Sequence, residues 1–478
     1  MVESLRGGLV ALEWAILGYF TFANAFYGLL LLLASLELRR HLRSIRGESR
    51  WRVLGSAAAP RITVLAAAYD EAATIRESLS ALLALYYPNL EIIVVNDGSR
   101  DPTLETMLEA FELVPILPIY QHQIRTEEVV GLYRSALYPN LLVIDKLNGG
   151  KADALNAGLN LASGTLVCAL DSDTLIEPDA LQRMVRPFLE NSDVLAAGGT
   201  IRVANDSSVR RGRVVRAGVP RRVLAGIQTV EYLRAFLFGR LGWNRLGGSL
   251  IIAGAFGLFR RDALVAARGY TRDSVGEDME MVLRLRRRAM EHGKVHRVDF
   301  IPDPVAWTQV PETLRVLGLQ RDRWHRGLAD GLWRHRRMML NPRYGTVGLV
   351  AFPYFVFVEL LAPLVEALGL LAVIVAALLG AVDLLFAGLF FLLAYGLVLV
   401  FSTAAILMDE VSFARERTFA DRSRLLGWAL LEHLGYRQLT VIWRLRGLWG
   451  FLRSSQAWGE MERTAFTPAN VPEGDARP

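Results

Sequence analysis

Acidic residues recur in short groups at the ends of apolar runs. Tyr69-Asp70-Glu71 follows 62–68, Asn96-Asp97-Gly98-Ser99-Arg100-Asp101 closes 91–96, and Asp171-Ser172-Asp173 closes 166–171. Carboxylates that meet in one crevice repel, and a divalent cation relieves that repulsion. An Asp-x-Asp turn offers hard oxygen donors, which suit Mg2+ or Mn2+ and leave positions open for phosphate oxygens. Asp171 and Asp173 are therefore the candidate metal ligands. Taken singly, each acid also reads as a turn former or helix cap.

Asn148-Gly149-Gly150-Lys151 sets backbone N–H groups and a point positive charge ahead of a helical pattern, a combination that can receive phosphate. It lacks the spacing of a Walker loop. Gly276-Glu277-Asp278 precedes the periodic run 279–285. These acids either complement a helix N-terminus or supply a general base for a sugar hydroxyl. In Gln320-Arg321-Asp322-Arg323-Trp324, an arginine beside a tryptophan reads as a diphosphate clamp with an indole for a sugar ring, or as interfacial residues near a bilayer.

The elements that must position these groups alternate. Apolar runs at 62–68, 91–96, 141–145 and 166–171 predict buried strands, and 73–85, 151–162 and 178–189 predict helices. The alternation predicts an α/β domain over 53–343 with a Rossmann-like, mostly parallel sheet. In such sheets ligands bind at the carboxyl ends of the strands, where the acids lie.

Of 478 residues, 52% are hydrophobic and 21% charged, which predicts a soluble domain joined to transmembrane helices. Residues 14–36 carry no charge and would span about 34 Å as a helix, so 10–36 is expected to be an anchor. A signal peptide fits less well, because the apolar run continues past Ala23-Asn24-Ala25 and Glu3 and Glu13 accompany Arg6. Arg39, Arg40, Arg43, Arg46, Arg50 and Arg52 follow, which puts the domain on the cytosolic face of the cytoplasmic (inner) membrane. Two more crossings are expected within 347–408, after an interfacial lead-in. There Glu359 and Glu366 either line a polar path or pair with arginines. The stretch 425–453, with Arg437, Arg444, Trp428 and Trp443, predicts an amphipathic interface helix. A tail, 454–478, completes this multi-pass layout. The single Cys168 excludes an internal disulfide. Net charge is +6, but no basic stripe is interleaved with aromatics, so no nucleic-acid partner is expected.

The ordered series Ala68-Tyr69-Asp70-Glu71, Asp97-Gly98-Ser99, Gly150-Lys151-Ala152-Asp153, Asp171-Ser172-Asp173, Gly276-Glu277-Asp278 and Gln320-x-x-Arg323-Trp324 resembles the membrane-bound family 2 glycosyltransferases. That group includes the cellulose, hyaluronan and poly-N-acetylglucosamine synthases. The resemblance implies a GT-A fold and inverting transfer from a UDP-sugar, UDP-GlcNAc or UDP-glucose, to a growing β-linked polysaccharide, with translocation and an accessory subunit as further expectations. A polyprenyl-phosphate or glycolipid acceptor is the alternative. A non-catalytic scaffold is the third reading, and the complete acid set counts against it. By the resemblance, Tyr69, Glu71 and Asp97, with Ala68 beside them, would hold the uridine. Lys151 would lie near it or the phosphates, Asp171 at the nucleotide, and Asp173 on the metal. Asp278, with Glu277 adjacent, would be the base. Arg323 would steady the departing UDP, and Trp324 with Gln320 would line the acceptor site. Gly254-Ala255-Phe256-Gly257 resembles the family's acceptor-side segment. Trp458-Gly459-Glu460 resembles a C-terminal motif that closes over the nucleotide in some synthases. Gln309 departs from the acid usual in relatives of similar layout.

Overall fold

The computed structural model describes residues 2–45, 59–171, 174–210, 213–293, 296–378, 380, 383–413 and 417–453. Asp173, the arginines at 46, 50 and 52, and the tryptophan motif at 458 lie outside the described residues.

The strands are β1 (Ile62–Ala68), β2 (Leu90–Asp97), β3 (Leu113–Ile116), β4 (Val129–Ser135), β5 (Leu141–Lys146), β6 (Leu166–Asp171), β7 (Leu175–Ile176) and β8 (Val194–Val203). After a short hairpin of β9 (Ser208–Arg210) and β10 (Arg213–Arg216) come β11 (Phe256–Arg260) and β12 (Arg297–Thr308). Ten of them form one sheet in the order β3-β4-β5-β2-β1-β6-β11-β8-β12-β7. The four strands read from the sequence lie together and parallel at its heart. Most strands share their direction, and β4, β7 and β11 run against it.

The central strands are apolar on both faces because helices cover both. On one side Ile62, Val64, Ile92 and Val94 meet Leu79 and Leu82 of α2 (Ile75–Leu83) and Leu181 and Met184 of α5 (Ala180–Glu190). Between these two in sequence lie α3 (Thr103–Ala110) and α4 (Lys151–Leu161). On the other side Leu65, Ile93, Val95 and Ile144 meet Leu155 and Leu159 of α4. Each fully buried Val, Leu or Ile contributes about 1.5–3 kcal/mol. The remaining strands were not legible as runs. β4 is half-exposed and carries Gly131 and Arg134. β12 contains Pro302 and Pro304, and its pairing with β8 shifts register across them.

Ahead of the sheet, α1 (Val2–Ile45) is one continuous helix. Beyond it run α6 (Val223–Leu233), α7 (Glu277–Glu291), α8 (Leu314–Arg334), α9 (Val347–Leu360), α10 (Ala362–Leu378), α11 (Leu384–Phe413), α12 (Phe419–Leu431) and α13 (Arg437–Leu452). Among the described residues, the Val10–Ser44 part of α1 and all of α11 are long and apolar enough to cross a membrane; α9 and α10, bent by 40° at their junction, make up to a third. Pro363 lies just past that bend.

The segment 425–453 is not one interface helix. Leu434 and Gly435 break it with non-helical dihedrals, Gly435 at φ 85°. The second half, α13, packs on α8 so closely that a Cβ on Gly447 would stand 2.5 Å from the Asp322 carbonyl oxygen. Two of its arginines turn inward. Arg437 pairs with Glu366 at 2.8 Å, and Arg444 donates to the Glu359 carbonyl oxygen. Glu359 itself accepts from the hydroxyls of Tyr27 and Tyr354, at 3.1 and 3.0 Å. Of the two readings of these acids, arginine pairing holds for Glu366.

Candidate active site

The parallel register brings the strand ends level. Ala68 is opposite Asn96, Asp97 opposite Lys146, and Ala67 opposite Asp171. A cavity of about 2030 Å³ opens above them. Its wall holds Ala68, Tyr69, Glu71, Asp97, Lys151 and Asp171 from the sheet side. It also holds Glu277, Asp278, Gln320, Arg323 and Trp324 from α7 and α8, so every described candidate shares one space. Tyr27, Glu359 and Phe401 from the apolar helices line the same cavity.

The described acids at the strand ends do not gather into one three-ligand cluster. Among the described residues no three His, Cys, Asp or Glu side chains surround a point. Their charge is met from within the chain. Asp70, at φ 52°, accepts from the Arg100 backbone N–H at 2.7 Å, and Asp101 accepts from that of Ala72 at 3.0 Å. Asp97 is buried, and its carboxylate takes Lys146 Nζ at 2.6 Å, Gly149 N at 3.0 Å, Gly150 N at 2.8 Å and Asn148 Nδ2 at 3.3 Å. Four donors fill the lone-pair sites of a carboxylate. Asp97 therefore shapes the glycine turn at the edge of the cavity. Glu71 is buried and accepts from the Thr74 hydroxyl at 3.1 Å, while Tyr69 is exposed to the cavity.

Lys151 opens α4 and reaches across the crevice. Its Nζ stands 2.5 Å from Asp171 Oδ1 and 3.1 Å from Glu277 Oε1. Burial alone would depress this ammonium, but the two carboxylates hold it above the ordinary lysine value. Burial pushes the Glu277 carboxyl up, and Lys151 pulls it partly back. About a third of the Asp171 side chain stays exposed, so an oxygen donor faces the cavity. Mg2+ is commonly held by one or two carboxylates plus substrate phosphates, and the donor chemistry here fits such an ion.

Gly276 lets α7 approach α8. A Cβ on Gly327 would lie 3.0 Å from Gly276 Cα, so neither position tolerates a side chain without movement. This contact sets Glu277 and Asp278 against the helix bearing Gln320, Arg323 and Trp324. Asp278 Oδ2 accepts from the Gly254 N–H at 2.9 Å, which holds the carboxylate against the segment ahead of β11. Gln320 is buried, and its Oε1 has no hydrogen-bond partner among the described residues. Trp324 is 42% exposed. The Arg321 guanidinium lies over its indole, 4.7 Å from the ring centre. Sequence reasoning missed what holds Arg321. Glu231 of α6 accepts from it at 2.6 Å and from the Tyr436 hydroxyl at 2.7 Å. Neither residue sits in a motif, so only the fold brings them together.

The description "Glycosyl transferase family 2" matches 63–266, and "Glycosyl transferase family group 2" matches 166–401. The chain belongs to the family 2 glycosyltransferases. It is 31% identical over 298 residues to the poly-beta-1,6-N-acetyl-D-glucosamine synthase of Staphylococcus aureus. The match covers 62% of this chain and 59% of that relative. A Staphylococcus epidermidis synthase of the same name is 31% identical over 273 residues, 57% of this chain and 56% of its own length. The chain thus spans under two thirds of these relatives. Among solved structures it is similar to the mannosyltransferase PcManGT from Pyrobaculum calidifontis, in complex with GDP-Man and Mn2+. The TM-score is 0.53 at 19% identity, over 94% of this chain and 100% of that one. That likeness establishes the shared GT-A fold.

Proposed function

We propose that this family 2 glycosyltransferase moves N-acetylglucosamine from UDP-GlcNAc to the growing end of a β-linked polysaccharide, at a membrane and from its cytosolic face. The observation that carries the reading is one cavity shared by the strand-end acids, the Glu277-Asp278 pair and Gln320, Arg323 and Trp324. The named synthases supply the sugar. In this reading Tyr69 and Glu71 line the base pocket, with Ala68 as its floor. Lys151 and Arg323 balance charge on the departing UDP. Asp171 and Asp173 would hold Mg2+ or Mn2+, as the Mn2+ complex of the mannosyltransferase supports. Such an ion, when bound, neutralises charge building on the diphosphate. Asp278 accepts the proton of the acceptor hydroxyl, and the Gly254 N–H keeps its carboxylate oriented. The freed oxygen attacks the anomeric carbon from the side opposite UDP, so a single base suffices for inversion. Gln320 Oε1, unpartnered among the described residues, accepts from an acceptor hydroxyl, and Trp324 offers a face to the ring.

Membranes carrying the chain, given radiolabelled UDP-GlcNAc, are expected to yield polymer, and Asp278→Asn is expected to abolish it. A chloroform-soluble, singly glycosylated lipid as sole product would replace polymer synthesis with single transfer. Unchanged UDP release by Asp278→Asn would overturn the assignment of the base.

A further inference from the structure

Most cations in the cavity wall are paired with carboxylates, and Arg444 donates instead to the Glu359 carbonyl oxygen. Lys151 holds Asp171 and Glu277, Arg234 holds Glu432 at 2.6 Å, Arg321 holds Glu231 and Arg437 holds Glu366. Arg240 also lines the cavity, yet it makes no ion pair among the described residues, and its Nη1 is buried without a hydrogen-bond partner. Its guanidinium lies 4.3 Å over the Phe236 ring, which fixes its plane. It closes a widened, π-type turn, Arg234–Arg240, a local geometry frequent at functional sites. Burial pushes it down to about 10, and Asp278 is the carboxylate that most opposes this. Asp278 and Arg240 nevertheless form no salt bridge, which leaves space between base and cation. A buried, uncompensated charge costs several kcal/mol, so the position is poor for stability and suited to a ligand.

We infer that Arg240 is a specificity-determining residue of the acceptor site, donating to the N-acetyl carbonyl oxygen of the terminal sugar while Asp278 faces its hydroxyl. The inference rests on the proposed acceptor. A carbonyl oxygen satisfies the orphaned donor. A free amino sugar brings an ammonium instead, which leaves Nη1 unsatisfied and adds a like charge in a water-poor site. Arg240 thereby selects N-acetylated chain ends over de-N-acetylated ones.

The test uses the full chain in membranes, UDP-GlcNAc as donor, and β-1,6-linked N-acetylglucosamine oligomers against their de-N-acetylated counterparts. The native chain is expected to favour the acetylated oligomer in kcat/KM by at least about tenfold. Arg240→Gln is expected to shrink that ratio toward unity, and Arg240→Lys to keep much of it. The ratio for the native chain should also fall as pH rises and the amines lose their protons, a readout that needs no variant. An acetyl preference unchanged in Arg240→Gln, or flat across pH, overturns the inference and leaves the proposed function standing. Failure of the native chain to extend either oligomer overturns both.

Discussion

Lys146 and Lys151 stand five residues apart, on either side of the glycine turn, and each sits between two carboxylates. Lys146 holds Asp97 at 2.6 Å and Asp153 at 2.8 Å with no exposed side-chain surface on any member except a trace on Asp97. Lys151 holds Asp171 and Glu277 at similar distances, but about a quarter of its side chain faces the cavity. The chemistry of the two clusters is the same; access to solvent separates them. The closed cluster spends its charge on the chain, and the open one can exchange its partners for phosphate. Acid-rich strand ends therefore overstate how many carboxylates a ligand meets.

The largest effect that would sharpen this contrast lies beside the open cluster. Asp278→Asn keeps the size of the side chain and the acceptor for the Gly254 N–H, but removes the base. Transfer is expected to fall by about 10²–10⁴-fold, with the melting temperature unmoved. Initial rates of UDP release, with thermal unfolding in parallel, check both halves. A stability loss as large as the rate loss would mean that Asp278 belongs with the closed cluster.

Lys146→Met comes next and should behave oppositely. It leaves Asp97 and Asp153 buried without their shared cation, a loss of about 3–5 kcal/mol. The chain is expected to unfold at markedly lower temperature, while the surviving folded fraction keeps its KM for the donor. Lys151→Met is the matched change in the open cluster. It should cost turnover about 10²-fold, on the scale of one lost electrostatic contact to a departing group, and raise the pH at which Glu277 ionises, because Lys151 holds that carboxyl down. If both lysine variants lose stability alike, the contrast between the clusters fails.

Much of this was legible in advance, and the limits have physical causes. β1, β2, β5 and β6 announce themselves because strands buried on both faces are unbroken apolar runs. The described motif residues also share one cavity, because most follow a strand or open a helix whose place the sheet fixes, and Gln320, Arg323 and Trp324 are brought in from the middle of α8 by its contact with α7. What the sequence hid is pairing across long separations. Nothing near Glu231 signals Arg321, nothing near Glu366 says which arginine it meets, and nothing near Asp97 signals that Lys146 lies opposite it in register. The break at Leu434 and Gly435 was hidden too, since apolar and basic residues run through it without a change in pattern.

A smaller prediction tests whether α7 itself carries one residue of each kind. Glu280 lies one turn past Glu277 but faces the core. Its carboxylate accepts from the Thr271 hydroxyl at 2.8 Å, pairs with Arg284 at 2.9 Å and meets His335 Nε2 at 3.2 Å. Burial would raise it, but His335, Arg284 and Thr271 together hold it below the ordinary glutamate value of 4.5. A depressed carboxyl stabilises the fold above its unfolded value and loses that contribution as pH falls through its folded one. The native chain should therefore exceed Glu280→Gln in stability by about 1–2 kcal/mol near neutrality, and the gap should close as pH drops below about 4.5. Glu277 is raised, so the corresponding Glu277→Gln change should show the opposite trend, its relative stability improving as pH rises through the native Glu277 value. Unfolding curves of both variants from acid to neutral pH decide the matter, because parallel pH dependence would show that burial along α7 does not divide structural from functional acids.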